Sequence, residues 1–149
     1  MSDKYPSNRL MSDPFDLQRF VNAQGPVYDT VLAELRNGRK QSHWMWFVFP
    51  QIAGLGQSLT ARKYAIVSRA EASAYLDHPV LGLRLLECTR LVNAIDGRTA
   101  HEIFGTPDDL KFRSSMTLFA QVTSAGDDFI AALWKYFEME FDPATIARL

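Results

Sequence analysis

Hydrophobic positions recur every three or four residues over most of the chain, which is the spacing of one face of an α-helix. Leu81, Leu85, Cys88 and Val92 form the longest of these apolar stripes. Asp, Ser and Thr residues that can cap a helix, together with Gly and Pro, separate one stripe from the next. The predicted helices begin at Asp13-Pro14, Gly25-Pro26, Ser68, Pro79, Thr99, Thr106-Pro107, Asp127 or Asp128, and Asp142-Pro143.

The apolar hexapeptide from Trp44 to Phe49 is different, because it has no polar face. Its aromatic and β-branched residues favour a strand, but segments 65–67 and 121–123 are short and lie beside helix signals, so they are poor partners. A helix that is apolar all round is typical of a buried central element. We therefore predict an all-α fold in which amphipathic helices surround a short buried aromatic helix that ends before Pro50. An extended stretch through the core is the alternative.

Length and composition predict one compact domain. A chain of 149 residues that is 47% hydrophobic and 22% charged is typical of a single globular unit. Residues 1–12 are polar and contain Pro6, which predicts a flexible N-terminal tail. Residues 13–149 are predicted to form the single helical domain.

Charge and cysteine content narrow the classes of partner. The net charge of −1 argues against a nucleic-acid binder. Cys88 is the single cysteine, which excludes an intramolecular disulfide and favours a reducing cytoplasm. The N-terminus lacks the apolar stretch of a signal peptide, and the longest apolar run, residues 44–49, is too short to cross a bilayer. We expect a soluble cytoplasmic protein; its oligomeric state is not determined by the sequence.

Polar and aromatic residues around the hexapeptide predict a ligand site. His43 stands directly before it and can exchange a proton near neutral pH. Trp44 and Trp46 are two positions apart and point to nearly opposite sides of a helix, so both cannot stack on one ligand. The ordinary interpretation places both in the core. Arg62 and Tyr64 add a cation and a second ring to the predicted ligand-binding set.

A second polar cluster lies on the helix that follows Thr106-Pro107. Lys111 and Ser115 share a stripe of that helix and are predicted to bind ligand. Asp109 is a candidate proton handler, although an acid in the first turn is also explained by the helix dipole. Ser115 and its hydroxyl-bearing neighbours either line a cavity or bond back to helix carbonyls.

Motifs for common catalytic centres do not occur in the sequence. The three histidines are far apart, and there is neither an HExxH nor a GxSxG motif. The glycine loop Gly54-Leu55-Gly56 lacks the lysine–serine pair of a Walker loop, so we interpret it as a turn whose N–H groups are able to hold an anion. No metal and no cofactor are predicted, and Cys88 is interpreted as a small buried hydrophobe.

Four stretches carry a resemblance to a known family. They are DPFDLQRFV from Asp13, HWMWFVFPQ from His43, HPVLGLRL from His78 and IFGTPDDLKFRSSMTLF from Ile103. In this order they resemble the DUF1810 family, also called Rv1873-like. The resemblance implies a mainly α-helical fold; because that family has no established function, it implies no catalytic residues.

Two hypotheses of different classes follow. In the first, the domain binds or hydrolyses a nucleotide-like or other anionic metabolite, with His43 or Asp109 as proton handler and Trp44, Trp46, Arg62, Tyr64, Lys111 and Ser115 as ligand-binding residues. In the second, it is a non-catalytic adaptor that binds a protein through an exposed apolar patch. A concave pocket favours the first hypothesis, and a closed core with a flat apolar surface favours the second.

Overall fold

A computed structural model of the chain describes residues 13–123 and 127–149, and the predicted tail, residues 1–12, lies outside the described residues. Every regular element in the described residues is a helix, which confirms the predicted all-α class. The helices are α1 Gln18–Gln24, a 3-10 turn Gly25–Val27, α2 Tyr28–Arg36, α3 Met45–Val48, α4 Leu59–Lys63, α5 Arg69–Asp77, α6 Leu81–Asn93, α7 Ala100–Phe104, α8 Asp108–Ala120, α9 Asp128–Phe137 and α10 Pro143–Ala147.

The hexapeptide forms the predicted buried helix. It is a single turn, α3, and Trp44, Met45, Val48 and Phe49 are at most 3% exposed. Because so short a helix leaves most of its carbonyls without helical partners, other groups must bond them. The Gln24 side chain does this for Phe47, donating from Nε2 to the Phe47 carbonyl at 2.7 Å. The alternative of an extended stretch through the core is wrong.

Helix α8 holds the aromatic core together. Phe112 of α8 is fully buried, and its ring centroid lies 5.0 Å from that of Phe49 and 4.7 Å from that of Phe104. Edge-to-face and offset ring pairs at such distances are the favoured aromatic geometries. Helix α8 also packs against α9, α10, α7 and α5, while α6 packs against α5, α2 and α9.

Most helix starts were predicted, but the first helix begins later than the sequence indicated. Asp13 does act as a terminal acceptor, because its carboxylate accepts from the backbone N–H groups of Leu17 at 2.7 Å and Gln18 at 3.1 Å. Asp16 adopts a left-handed backbone with φ 53°, which no α-helix contains. Helix α1 therefore starts at Gln18 and not after Asp13.

Two of the predicted helix starts, Ser68 and Thr99, are each followed three positions later by a glutamate, which is the spacing of a capping box, and the two differ in their outcome. Thr99 and Glu102 form the complete reciprocal pair at the start of α7. Ser68 accepts from the Glu71 N–H at 3.2 Å, but the Glu71 carboxylate bonds the Val67 N–H and the guanidinium of Arg19 instead. Glu71 is 1% exposed, so this ion pair joins α5 to α1 inside the protein.

Two short elements near α3 were not predicted from the sequence pattern, and they bring segments on either side of the glycine loop together. Helix α4 is one, capped by Ser58, whose Oγ accepts from the Ala61 N–H at 3.1 Å. The other is a single parallel β-bridge between Ile52 and Ile66. In the described part of the chain, no helix has the length and apolar character needed to cross a membrane.

Candidate functional site

A cavity of about 140 Å³ lies between the loop that follows α3 and helix α4. Trp46, Arg62 and Tyr64, three of the predicted ligand-binding residues, line it together with Gln51 and residues of the glycine loop. The structure thus brings together side chains that are up to 18 positions apart in the sequence.

Backbone bonds across the β-bridge set the width of this cavity. The Ala53 N–H donates to the Ile66 carbonyl, and the Ile66 N–H donates to the Gln51 carbonyl, both at 2.8 Å. On the far side, the Arg19 guanidinium donates to the carbonyls of Lys63 at 2.8 Å and Ala65 at 2.9 Å. The end of α4 is therefore held from both sides, and the cavity wall is preorganised.

Two glycines let the loop approach its neighbours. Gly54 has φ +99°, and a Cβ built on it would lie 2.8 Å from Nε of Arg148. A Cβ on Gly56 would lie 2.6 Å from Cβ of Ala61, closer than such atoms pack. The glycine loop is thus a turn, as interpreted from the sequence, and it is also one wall of the cavity.

Two aromatic rings with cations above them form the other walls. Nζ of Lys111 lies over the Trp46 ring, 5.0 Å from its centroid, and Nζ of Lys63 lies 5.4 Å from the centroid of Tyr64. Tyr64 is supported from behind by Phe47, at a centroid distance of 5.3 Å. Cation–π contacts and ring packing hold both rings in place.

The two tryptophans have the opposite orientations that their spacing predicted. Trp46 is partly exposed and lines the cavity. Trp44 is 1% exposed, and its Nε1 donates to Oε1 of Glu34 at 2.9 Å. A ligand therefore has no access to the Trp44 ring, which belongs to the core.

Glu34 is a residue that the sequence analysis missed. Its carboxylate accepts from the backbone N–H groups of Gln41 at 2.8 Å and Ser42 at 2.9 Å, from the Ser42 hydroxyl, and from Trp44. Burial alone would raise the pKa of Glu34, but these hydrogen bonds outweigh it and lower the pKa to about 2. Glu34 lies three positions after Val31 on α2, so its place on the buried stripe was a signal that could have found it.

An ion-pair chain connects the loop before α3 with α8. Nζ of Lys40 lies 2.9 Å from Oδ2 of Asp108, and Nζ of Lys111 lies 3.6 Å from Oδ1 of the same carboxylate. Lys40 also donates to the Ser42 carbonyl at 2.6 Å. The single Asp108 carboxylate thus faces two ammonium groups, so this cluster keeps a net positive charge, and Lys111 lies against the Trp46 ring.

The predicted proton handlers lie outside the cavity lining. His43 is exposed in the loop before Trp44. Asp109 accepts from the Leu110 N–H at 2.8 Å and lies 3.5 Å from Nδ1 of His101. Among the cavity-lining residues that the structure describes, none is Asp, Glu, His or Cys.

The hydroxyl-bearing neighbours of Ser115, Ser114 and Thr117, hold the C-terminal segment against α8. Ser115 is fully buried, and its Oγ bonds no described residue. Ser114 donates to Oδ2 of Asp142 at 2.9 Å, while Oγ1 of Thr117 accepts from the Asp142 N–H at 2.9 Å. These hydroxyl groups dock α10 on α8 and do not line the cavity.

The chemistry of Cys88 agrees with its interpretation as a buried hydrophobe. The residue is fully buried on α6. Burial raises the pKa of its thiol to about 12, so the reactive thiolate is scarce at neutral pH. Within the described residues, no group of three His, Cys, Asp or Glu side chains is placed to hold a metal ion.

Comparison with known proteins identifies the family. The model of the family described as "Protein of unknown function (DUF1810)" matches residues 14–149. The chain belongs to the DUF1810 family. It is similar to the crystal structure of the conserved hypothetical protein Rv1873 from Mycobacterium tuberculosis, with 60% sequence identity, 92% of this chain and 98% of that chain covered, and a TM-score of 0.91. Comparison with the curated proteins finds no match.

Membership of DUF1810 confirms the resemblance that the four sequence stretches carried. The HWMWFVFPQ stretch supplies α3 and the cavity residue Trp46, whereas the SSMTLF stretch supplies the core of α8. Arg62 and Tyr64, which complete the cavity wall, lie outside all four stretches.

Proposed function

We propose that this DUF1810 domain binds a small anionic metabolite, nucleotide-like or otherwise, in the cavity between the glycine loop and α4. The observation that carries the proposal is that an arginine, Arg62, and two aromatic residues, Trp46 and Tyr64, line the same preorganised cavity. Concave sites with apolar walls and a few convergent polar groups are typical of small-molecule binding.

The lining favours binding over hydrolysis. General acid–base catalysis needs a group within hydrogen-bond reach of the substrate that exchanges a proton near neutral pH. The cavity-lining residues that the structure describes include no Asp, Glu, His or Cys to perform it. His43 and Asp109 therefore have no role in the proposed binding site.

The adaptor hypothesis has less support. Large apolar side chains are exposed at Leu59, Leu83, Leu110, Trp134 and Ile146 on helices, and at Val67 and Phe141 in loops. Each described helix carries at most one of them, so none presents a continuous apolar face. Single exposed apolar residues are normal on a protein surface.

The cysteine content and the net charge bear on the cellular location and on the class of partner. We propose the cytoplasm as the location, because the one cysteine of the chain is buried as a free thiol. The net charge of −1 gives no support to a nucleic-acid partner.

A thermal-shift screen with inorganic phosphate, acetate, benzoate, nicotinate and adenosine monophosphate tests the proposal. A ligand at about 100 times its Kd stabilises the folded state by about 2.7 kcal/mol, which raises Tm by several degrees. We expect this rise in the wild type and in Arg39→Gln, an exposed arginine outside the cavity lining. Arg62→Gln should abolish it.

His43→Ala provides a further control, because His43 is the predicted proton handler nearest to the hexapeptide. Because His43 does not line the cavity, its removal should leave the ligand-induced rise in Tm unchanged. The proposal is contradicted if no anion raises the Tm of the wild type, or if Arg62→Gln and Arg39→Gln respond alike.

A further inference from the structure

We propose that the ligand is a single planar ring that carries an anionic group directly on it: a monocyclic aromatic or heteroaromatic acid. This inference rests on the proposed function and narrows it to one class of molecule. It follows from the size of the cavity, the chemistry of its walls and the position of its cation.

The volume limits the ligand to about one ring. Cavities that bind drug-sized molecules typically have about 300–1,000 Å³. The present cavity has about 140 Å³, close to the engineered protein cavity of about 150 Å³ that binds benzene. A whole nucleotide does not fit, because its base, ribose and phosphate together far exceed one ring.

The walls favour a planar ring over an aliphatic one. Trp46 and Tyr64 both line the cavity and are fixed from outside, Trp46 by Lys111 and Tyr64 by Phe47. Fixed aromatic walls bind another ring by offset stacking or edge-to-face contact without first losing side-chain freedom. Gln51 also lines the cavity and offers an amide donor and acceptor to a ring heteroatom.

The presence of Arg62 in so small a lining favours a ligand whose negative charge is attached directly to its ring. Arg62 lines the same small cavity as the two aromatic residues, so an acid group attached directly to a bound ring lies beside the one cationic residue of the described lining. A carboxylate is planar and suits the two-pronged geometry of Arg. Lys111 supplies less attraction, because it does not line the cavity. In a nucleotide, by contrast, the ribose separates the base from the phosphate.

Isothermal titration calorimetry with matched ligands tests this class. Benzoate and nicotinate are compared with cyclohexanecarboxylate, which has the charge but no planar ring, and with benzamide, which has the ring but no charge. We expect the loss of the planar ring and the loss of the negative charge each to weaken binding about tenfold. Adenosine monophosphate, with ring and anion far apart, should bind more weakly than benzoate.

Variants of the aromatic wall show whether the ring preference arises in this cavity. Trp46→Leu should remove the preference of benzoate over cyclohexanecarboxylate, and Trp46→Phe should retain most of it. Trp134→Leu is the matched control, since Trp134 is 65% exposed on α9 and does not line the cavity. Far-UV circular dichroism identifies any variant that fails to fold. If Trp46→Leu does not fold, Tyr64→Leu replaces it and should weaken the same preference, because Tyr64 is the other aromatic residue of the lining.

The outcomes distinguish this inference from the proposed function. Equal affinity for benzoate and cyclohexanecarboxylate, or tighter binding of adenosine monophosphate, overturns the ring-acid class; if binding still depends on Arg62, the proposed function stands. If none of the anions binds, both fail. A preference for benzoate that survives Trp46→Leu also overturns the inference, because the ring is then recognised elsewhere.

Discussion

Glu34 shows how one buried carboxylate organises a loop. Residues 37–44 connect α2 to the central helix and contain the predicted site residue His43. Glu34 accepts hydrogen bonds from Gln41, Ser42 and Trp44, and thereby fixes both the course of this loop and the orientation of the Trp44 ring. A buried charge is costly unless its lone pairs are all satisfied, and here four donors satisfy them.

The replacement Glu34→Gln should therefore destabilise the protein. The amide keeps one acceptor but turns its NH₂ group toward neighbours that are themselves donors, which costs about 1–3 kcal/mol of the free energy of unfolding at neutral pH. Urea unfolding measures this. Asp29→Asn, an exposed acid in the first turn of α2, is the control and should cost less than about 1 kcal/mol.

The lowered pKa of Glu34 predicts how the free energy of unfolding changes in acid. Its pKa is lowered from an ordinary value of 4.5 to about 2 in the folded protein, so the folded state binds this proton less readily than the unfolded state. The stabilisation is complete above 4.5 and is lost as the pH falls through about 2. Across that window, stability should fall less steeply in Glu34→Gln than in the wild type. Equal slopes would contradict the assigned role.

At the scale of elements, the hydroxyl groups of Ser114 and Thr117 on α8 hold α10 in place through Asp142. Asp142 caps α10 by accepting from the Thr145 N–H and hydroxyl, and it also accepts from Ser114 on α8. One carboxylate thus caps a short helix and attaches it to the core. A five-residue helix is not stable alone, so its tertiary contacts maintain it.

Adjacent serines on α8 should respond in opposite ways to the same change. Ser114→Ala removes the hydrogen bond to Asp142 and should cost about 1–2 kcal/mol of the free energy of unfolding. Ser115→Ala removes a buried hydroxyl without a described partner and improves helix propensity by about 0.5 kcal/mol, so it should be neutral or stabilising. Chemical denaturation of both variants measures these two changes in the free energy of unfolding. Equal destabilisation would show that Ser115 has a partner of its own.

For the whole molecule, the aromatic cluster around Phe112 connects the helices. Its ring contacts Phe49 after α3, Phe104 of α7, and Tyr136 and Phe137 of α9. Three parts of the chain therefore share one buried side chain, and we expect residues 13–149 to unfold as one cooperative unit.

The replacement Phe112→Ala tests this cooperativity. It should cost about 3–5 kcal/mol, a large part of the roughly 5–15 kcal/mol that stabilises a typical domain. Circular dichroism and tryptophan fluorescence should report the same lowered transition, because helices and core melt together. Leu110→Ala, on the same helix and 55% exposed, should change stability by less than about 0.5 kcal/mol. Two separate transitions would refute a single cooperative domain.

Three of the residues predicted to bind ligand, Trp46, Arg62 and Tyr64, line one cavity, and their binding of a ligand stays a prediction. Helical periodicity separated Trp46 from Trp44, since two positions along a helix turn a side chain to nearly the opposite side, but it did not indicate which of the two lines the cavity. Arg62 and Tyr64 were chosen for their chemistry and do line the cavity. Lys111 contacts the Trp46 ring from outside, whereas Ser115 is enclosed in the core. Nothing in the local pattern distinguishes these two positions, which share one stripe of α8.

The sequence by itself determined most of the helices and the buried centre, because periodicity, capping and turns depend on residues within about four positions of each other. Thr99 with Glu102 and the apolar run of α3 are of this kind. Only the tertiary structure decided where the cavity lies and what Glu34 bonds. The cavity exists because the Ile52–Ile66 bridge brings the glycine loop to α4, and such non-local pairing leaves no period in the chain.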